Sequence, residues 1–260
     1  MKRDLLCKVI EKVKINENIY KLTIEKPNYN KNIKAGQFFN FKCGEGDYPL
    51  LRRPISVALV KKDSIDFYIN KVGKGTNALC EKKEGDYIDI LGPLGNGFDL
   101  DIKGKNIVII GGGIGVAPLL ELTKQLSDMH VNIDVMLGFK KEAFIVDEFK
   151  KYTGSVSITL ENGSEVNKGY VTNLLKERIK SKKYDYIFTC GPKPMLKEVK
   201  RIGEEENIKT QLLMEERMAC GIGACLVCTC KVKRGKDDWN YVRTCKEGPV
   251  FYGDEVIFDE

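Results

Sequence analysis

Histidine is almost missing from this chain: His130 is the single one among 260 residues. That scarcity argues against a histidine-based metal site and against a nucleophile that depends on a histidine base. His130 itself falls between a helical pattern and a strand pattern, where an exposed loop is expected. Long apolar runs are missing too, and none approaches the ~20 residues that span a bilayer. The opening Met1–Leu6 has neither the apolar core nor the small-residue cleavage site of a signal peptide, so a cytoplasmic location is expected. The net charge is +6, but the basic residues are spread along the chain with no long block, which gives nucleic-acid binding no support. Internal repeats and low-complexity tracts are also absent. A hydrophobic fraction of 42% is ordinary for a globular chain and sufficient for packed cores.

Cysteine, by contrast, is plentiful and uneven. There are nine, an odd number that cannot pair fully into disulfides within one chain. Five of them fall between Cys220 and Cys245, and such clustering reads as metal binding in a reducing compartment. Cys220-Gly-Ile-Gly-Ala-Cys225-Leu-Val-Cys228, followed after sixteen residues by Cys245, has the C-x4-C-x2-C…C spacing of a plant-type [2Fe–2S] cluster. Gly221 and Gly223 suit a loop that must wrap closely around an inorganic sulfide, because glycine accepts positive φ and close backbone approach. Cys230 breaks the spacing and is expected to be a bystander, on the same face of an outgoing strand as Cys228. Cys7, Cys43 and Cys80 read as small buried hydrophobes.

The patterning divides the chain into three domains, 1–100, 101–214 and 215–260. In the first, Leu5–Ile15, Ile19–Glu25, Gln37–Cys43, Ile55–Val60, Ile65–Val72 and Tyr87–Leu91 have the β-branched and aromatic content of strands, with one short helix at Thr76–Lys82. Six strands and a helix predict a small antiparallel β-barrel. The turn-rich Gly92–Phe98 closes it. In the second, strands at Ile107–Ile110, Ile133–Gly138, Val156–Leu160, Tyr186–Thr189 and Thr210–Leu213 alternate with helices at Ala117–Ser127, Phe144–Tyr152, Thr172–Lys180 and Pro194–Glu205. This alternation predicts a doubly wound parallel sheet. The third part holds the clustered cysteines and is short enough that a bound cluster would help hold it together.

Two turns in the second part carry further chemistry. Ile107-Val-Ile-Ile-Gly111-Gly112-Gly113-Ile-Gly115-Val-Ala-Pro118 runs from a strand through glycines into a helix, a geometry that offers backbone N–H groups to a pyrophosphate. It ends in proline and so departs from the strict G-x-G-x-x-G. A tight strand–helix connection is the plainer alternative, and the position at the first βα junction favours nucleotide binding. Thr189-Cys190-Gly191-Pro192 follows a later strand and also leads into a helix. Together these two turns resemble the nicotinamide-binding half of the ferredoxin–NADP reductase superfamily. The resemblance implies that Cys190 lies beside the nicotinamide, against the plainer reading of a buried strand-end thiol. In the first part Arg53-Pro54-Ile55-Ser56 resembles the superfamily's flavin-binding R-x-x-S signature. It implies an arginine on the FAD diphosphate and the Ser56 hydroxyl near the flavin N5, with Ile55 where relatives often carry tyrosine. Ile69-Asn70-Lys71 and Gly75-Thr76 fit the strand and helix start that complete the FAD site in relatives.

The order of barrel, nicotinamide domain and C-terminal cluster domain, with Glu215-Glu-Arg-Met-Ala-Cys220 and Cys245-Lys-Glu-Gly-Pro-Val-Phe251, resembles the electron-transfer subunits of two-subunit, NAD-dependent dihydroorotate dehydrogenases. That resemblance implies FAD, a [2Fe–2S] cluster held by Cys220, Cys225, Cys228 and Cys245, and NAD(H). It also implies an FMN-containing catalytic partner in a heterotetramer of two each, serving pyrimidine biosynthesis. NAD is expected over NADP mainly on the same ground; Leu137-Gly-Phe-Lys-Lys-Glu142 offers no arginine for a 2′-phosphate. Two alternatives stand: a flavin and [2Fe–2S] subunit of a ferredoxin-linked NAD(P)H oxidoreductase, and a zinc-containing nucleotide- or redox-sensing module. The second C-x2-C pair that would favour zinc is lacking. The basic stretch Lys231–Lys236 is expected either at the partner interface or at a solvated hairpin tip, the plainer of the two.

Overall fold

The strand-rich first part folds as a seven-stranded antiparallel sheet. A computed structural model describes residues 4–28, 32–44, 48–163, 168–235 and 238–258. Its strands are β1 (Asp4–Lys14), β2 (Ile19–Glu25), β3 (Phe38–Phe41), β4 (Arg53–Ser56), β5 (Leu59–Val60), β6 (Ser64–Asn70) and β7 (Tyr87–Leu94), with α1 (Lys74–Glu81) between the last two. The order across the sheet is β4-β3-β7-β1-β2-β6-β5. The single strand expected at Ile55–Val60 is broken in two, and its halves lie on opposite edges. Buried Val57 and Ala58 carry the chain across the gap: Val57 N–H donates to Gln37 O at 2.9 Å and Ala58 N–H to Asp66 O at 3.0 Å. The two edges therefore curl towards each other as a barrel requires. Phe39 and Phe41 meet Phe67 edge-to-face in the core, with centroids 5.8 and 4.9 Å apart.

The second part is the predicted doubly wound sheet. Its elements are β8 (Asn106–Gly112), a 3-10 turn Gly113–Val116, α2 (Ala117–Ser127), β9 (Asn132–Phe139), α3 (Val146–Lys150), β10 (Ser155–Leu160), α4 (Val171–Ser181), β11 (Tyr186–Cys190), α5 (Lys193–Glu205) and β12 (Lys209–Leu213). The parallel strands run β10-β9-β8-β11-β12. β8 comes first in the chain and sits centrally, so the connections leave it in opposite directions. The crevice beyond the ends of β8 and β11 is the topological switch point at which such sheets bind ligands. The α2 and α3 side chains cover one face and those of α4 and α5 the other.

The cysteine-bearing segment forms a small sheet of β13 (Thr229–Lys233), β14 (Trp239–Arg243) and β16 (Val256–Ile257). Between β14 and β16 the chain leaves it and adds β15 (Val250–Tyr252) antiparallel to β12, at the edge of the parallel sheet. Three residues next to a Gly-Pro step give no strand signal in the sequence, and only the pairing reveals it. His130 is exposed in the turn after α2. No helix among the described residues is long and apolar enough to cross a membrane.

Side chains tie the parts together. Glu121 on α2 is buried, and its Oε2 accepts the Val60 N–H at 2.8 Å, while Lys124 Nζ donates to Val60 O at 2.6 Å. One turn of α2 thus partners both backbone groups of Val60 on the edge strand β5. Gln211 of β12 accepts from Asp99 N–H at 2.9 Å and donates to Asp99 O at 2.8 Å, fixing the connection between the first two parts.

Candidate functional site

A cleft of about 560 Å³ opens where the three parts meet. The first part contributes Arg53, Pro54, Ile55, Ser56 and Asn70 from its sheet and Thr76 from α1, all expected at a flavin site. The parallel sheet contributes Gly115 and Cys190, from the two turns expected at a nucleotide site. The stretch 214–218 and Thr244 close the third side. Of Ile69-Asn70-Lys71, Asn70 alone lines the cleft. Ile69 is turned into the barrel core by strand alternation, and Lys71 lies beyond the strand with its N–H on Asn18 O. Ile55 lines the cleft at the position where relatives often carry tyrosine, and the buried Tyr68 of β6 lines it too.

Adjacent arginines divide two tasks. Arg52 is committed inward: Nη2 donates to both Asp89 oxygens at 3.0 and 2.9 Å, and Nη1 to Asp89 O at 3.1 Å. Arg53 has no carboxylate partner among the described residues; its Nη1 donates to Leu51 O at 2.7 Å and the side chain faces the cleft. Gly75 makes room for it, since a Cβ at Gly75 would stand 2.6 Å from Arg53 Nε. The N-terminus of α1 opens at the same spot, with Gly73 as its N-cap. Thr76 Oγ1 accepts the N–H groups of Val72 and Gly73 at 3.0 and 3.1 Å and holds that entry turn. A guanidinium beside a helix N-terminus is a ready anion site. The arrangement fits the diphosphate of FAD.

The nucleotide end is built by glycines packed on glycines. Gly113 takes φ +56 with open space at its missing Cβ. A Cβ on Gly115 would lie 2.7 Å from the Gly191 Cα, and one on Gly112 2.6 Å from Met195 Sδ and 3.0 Å from Pro192 Cδ. The turns after β8 and β11 are thus pressed together, and Gly111, Gly112, Gly191 and Pro192 shape the crevice from behind. Cys190 is buried, and burial, with the Glu215 carboxylate second, pushes its thiol far above its ordinary range. It is a neutral thiol at physiological pH, without thiolate reactivity.

The cysteines of the third part lie as two pairs. The Cys225 thiol hydrogen-bonds Cys220, whose sulfur also accepts the N–H groups of Ile222 and Ala224 at 3.5 and 3.4 Å. Burial opposes ionisation of Cys220, yet these donors outweigh it and bring the thiol down to about 6. The second pair is buried Cys228 and Cys245, where the Cys245 N–H donates to Cys228 Sγ at 3.4 Å. Burial, then the Cys228 thiol, pushes Cys245 up to about 12. Among the described residues no three potential ligands converge as a single metal ion would need. Two thiols to each of two irons is what a [2Fe–2S] cluster takes, and the donor set fits it. Gly221, Gly223 and Leu226 all adopt positive φ, at +70, +84 and +59. Arg243 Nη1 donates to Gly223 O at 2.8 Å while its other nitrogens grip Glu247, binding the loop to the segment after Cys245.

Cys230 lies elsewhere than expected. It packs with Leu196, Leu212 and Phe251, whereas Cys228 packs with Phe38, Leu94 and Cys245. Cys228 sits in the turn before β13 begins, so strand alternation does not extend to it. Lys231 stands over the rings of Trp239 and Tyr241 at 4.8 and 5.8 Å, on the hairpin itself. Lys236 at the end of that basic stretch lies outside the described residues.

Sequence reasoning missed the wall between cleft and cysteines. Phe38 and Met218 each line the cleft and pack with Cys228 and Cys245, and Thr244 lines the cleft one residue before Cys245. It missed Asn40, whose Nδ2 reaches Cys220 O, and Asn96, whose Nδ2 donates to Lys246 O and Glu247 O at 3.2 and 2.9 Å. These contacts join residues far apart in sequence; the only local sign was a polar residue inside the apolar stretch Phe38-Phe39-Asn40-Phe41.

Comparison with known proteins agrees with this geometry. Residues 215–257 match the model of the iron–sulfur cluster binding domain of dihydroorotate dehydrogenase B, and residues 109–201 that of the oxidoreductase NAD-binding domain. The electron transfer subunit of dihydroorotate dehydrogenase B (NAD+) from Clostridium acetobutylicum is 42% identical over 253 residues, 97% of each chain. Its counterpart from Caldanaerobacter subterraneus is 40% identical over 258 residues, 99% of this chain and all of the other. Among solved structures, a chain of the NADH-dependent reduced ferredoxin–NADP oxidoreductase superposes with TM-score 0.85 at 30% identity, covering 97% of this chain and 90% of that one. Phthalate dioxygenase reductase, at TM-score 0.66 and 16% identity, shares the fold over 89% of this chain and 87% of its own. With relatives at this level of identity over nearly the whole of both chains, the chain belongs to the family of electron transfer subunits of dihydroorotate dehydrogenase B (NAD+).

Proposed function

We propose that this chain carries electrons from a catalytic partner subunit, which holds FMN and oxidises dihydroorotate to orotate, to NAD+ in cytoplasmic pyrimidine biosynthesis, in an assembly of two subunits of each kind. The observation that carries the reading is the shared wall: Phe38, Met218 and Thr244 separate the flavin cleft from Cys228 and Cys245 by the thickness of one side chain. When bound, FAD exchanges a hydride with nicotinamide and single electrons with the cluster, which joins a two-electron carrier to a one-electron carrier.

The residues do the positioning. Arg53 and the α1 N-terminus hold the diphosphate end, while Ser56 and Asn70 face the ring end of the cleft. The paired glycine turns leave a crevice for the pyridine nucleotide, which brings Cys190 to its inner wall as a neutral, unreactive contact. Cys220 and Cys225 would hold one iron of the cluster, and Cys228 and Cys245 the other. Nothing in this scheme requires a general acid or base, consistent with a chain that has one histidine.

Purification with FAD, iron and sulfide assayed tests the reading. A flavin plus iron–sulfur spectrum, NADH-driven dye reduction and a complex with the FMN subunit support it. A colourless zinc protein would overturn it. The 30% identity to a ferredoxin-linked oxidoreductase chain favours a second reading, in which the partner handles ferredoxin; failure to bind the FMN subunit would promote that one.

A further inference from the structure

All four residues of β3 are buried. Phe39 and Phe41 pack inward against Phe67. Alternation turns Phe38 and Asn40 the other way, onto the segment that bears the cysteines. Phe38 packs with Cys228 and Cys245, and Asn40 abuts Cys220 and Gly221. One strand of the flavin sheet thus touches both thiol pairs, through an apolar residue at one pair and an amide at the other.

Asn40 is 0% exposed, and its Oδ1 is buried with no hydrogen-bond partner among the described residues. Its Nδ2 donates to the Cys220 carbonyl at 3.5 Å, the outer limit of such a bond. The amide is held instead by contact. A Cβ on Gly221 would lie 2.1 Å from Nδ2, and Gly221 takes φ +70, so the loop has both the space and the conformation to receive it. From behind, Arg52 Nη1 reaches Asn40 O at 3.4 Å while paired to Asp89, which fixes the backbone. Packing alone would be served better by an apolar side chain, since a half-satisfied buried amide is unfavourable. Here the donor end of the amide is aimed at the backbone of a cysteine whose sulfur already gathers N–H groups.

We propose that Asn40 is a positioning residue for electron transfer: it seats the Cys220 end of the loop on the flavin sheet and sets its amide donor on the Cys220 carbonyl, thereby setting the cluster's reduction potential and the speed of its reduction through the flavin. Hydrogen-bond donors around the sulfurs stabilise the more negative, reduced form. The inference rests on Cys220 being a ligand.

The test compares the full holoprotein with Asn40→Ala, Asn40→Asp and Asn40→Ser, after assay of FAD, iron and sulfide. Potentials come from an EPR-monitored redox titration, and rates from anaerobic stopped-flow with NADH at the flavin and iron–sulfur bands. All variants are expected to keep both cofactors. The cluster potential should fall in Ala and in Ser, whose hydroxyl is too short to reach the Cys220 carbonyl, and fall further in Asp. Cluster reduction should slow by roughly three- to tenfold in Ala, the factor a single hydrogen bond carries, with flavin reduction by NADH unchanged. Unchanged potential and cluster reduction in both Ala and Asp would overturn the proposal. So would loss of iron and sulfide in Ser as well as Ala, which would make Asn40 a packing residue. Absence of iron and sulfide from the wild type would instead fell the ligand assignment, so the two failures are distinguishable.

Discussion

Neighbouring residues of the same type do different work in this chain, and their partners show which does what. Arg52 and Arg53 are indistinguishable by composition, yet one is spent on Asp89 and the other faces the cleft. Arg53→Ala should lose a charge-assisted bond worth about 1.5–3 kcal/mol and weaken FAD binding roughly ten- to hundredfold, leaving the iron–sulfur spectrum in place. Arg52→Ala should lower the thermal midpoint and change FAD affinity little. Equal FAD content after exhaustive dialysis of wild type and Arg53→Ala would count against the site. The same logic separates Cys245 from Cys230. Cys245→Ala should abolish iron and sulfide binding. Cys230→Ala leaves a small apolar gap beside Leu212 and Phe251 and should retain the cluster. A cluster that outlives Cys245 but not Cys230 reverses the assignment.

At the scale of elements, the inter-part clamp predicts a pH dependence. Burial raises the Glu121 carboxyl above its usual 4.5, and the Val60 N–H and Gln125 offset only part of that. As pH rises from about 4.5, the unfolded chain ionises Glu121 before the folded one does, so the folded form loses stability through that window and the loss is complete above the raised value. Glu121→Gln does not titrate. Its thermal midpoint relative to wild type should therefore climb from pH 4.5 upwards and then level off; a constant difference between pH 4.5 and 8 would disprove the clamp's titration. The clamp was invisible in sequence because Glu121 occupies an ordinary helical position and Val60 an ordinary strand. Local patterning did mark most elements: the α2 bounds agree residue for residue, and α5 differs by one. It failed where pairing partners decide. Ile55–Val60 reads as one apolar run, but its ends belong to opposite edges, and β15 is too short to signal itself. The candidate cluster cysteines and both glycine turns stood out in the sequence because their spacing is local. The wall of Phe38, Met218 and Thr244 was not, because it is made by three distant segments.

Across the whole molecule, one group of exposed apolar side chains lies on the cysteine loop. Ile222, Leu226 and Val227 are 48%, 63% and 52% exposed on the loop that also carries exposed Cys225. The parallel sheet is open, and the described residues form no ring of eight βα units of the kind that could house FMN and dihydroorotate. Alone, the chain should therefore pass electrons from NADH to an artificial dye and fail to oxidise dihydroorotate, and adding the proposed FMN subunit should restore dihydroorotate-dependent NAD+ reduction. Leu226→Asp discriminates the docking face from the internal path. Leu226 holds φ +59, a conformation that aspartate tolerates better than leucine, so the loop should fold and keep its cluster. NADH–dye activity should stay near wild type, whereas a desolvated carboxylate at the contact should strip the complex from size-exclusion chromatography and abolish coupled turnover. If Leu226→Asp binds the FMN subunit as well as wild type does, the cluster loop is not the face through which the partner docks.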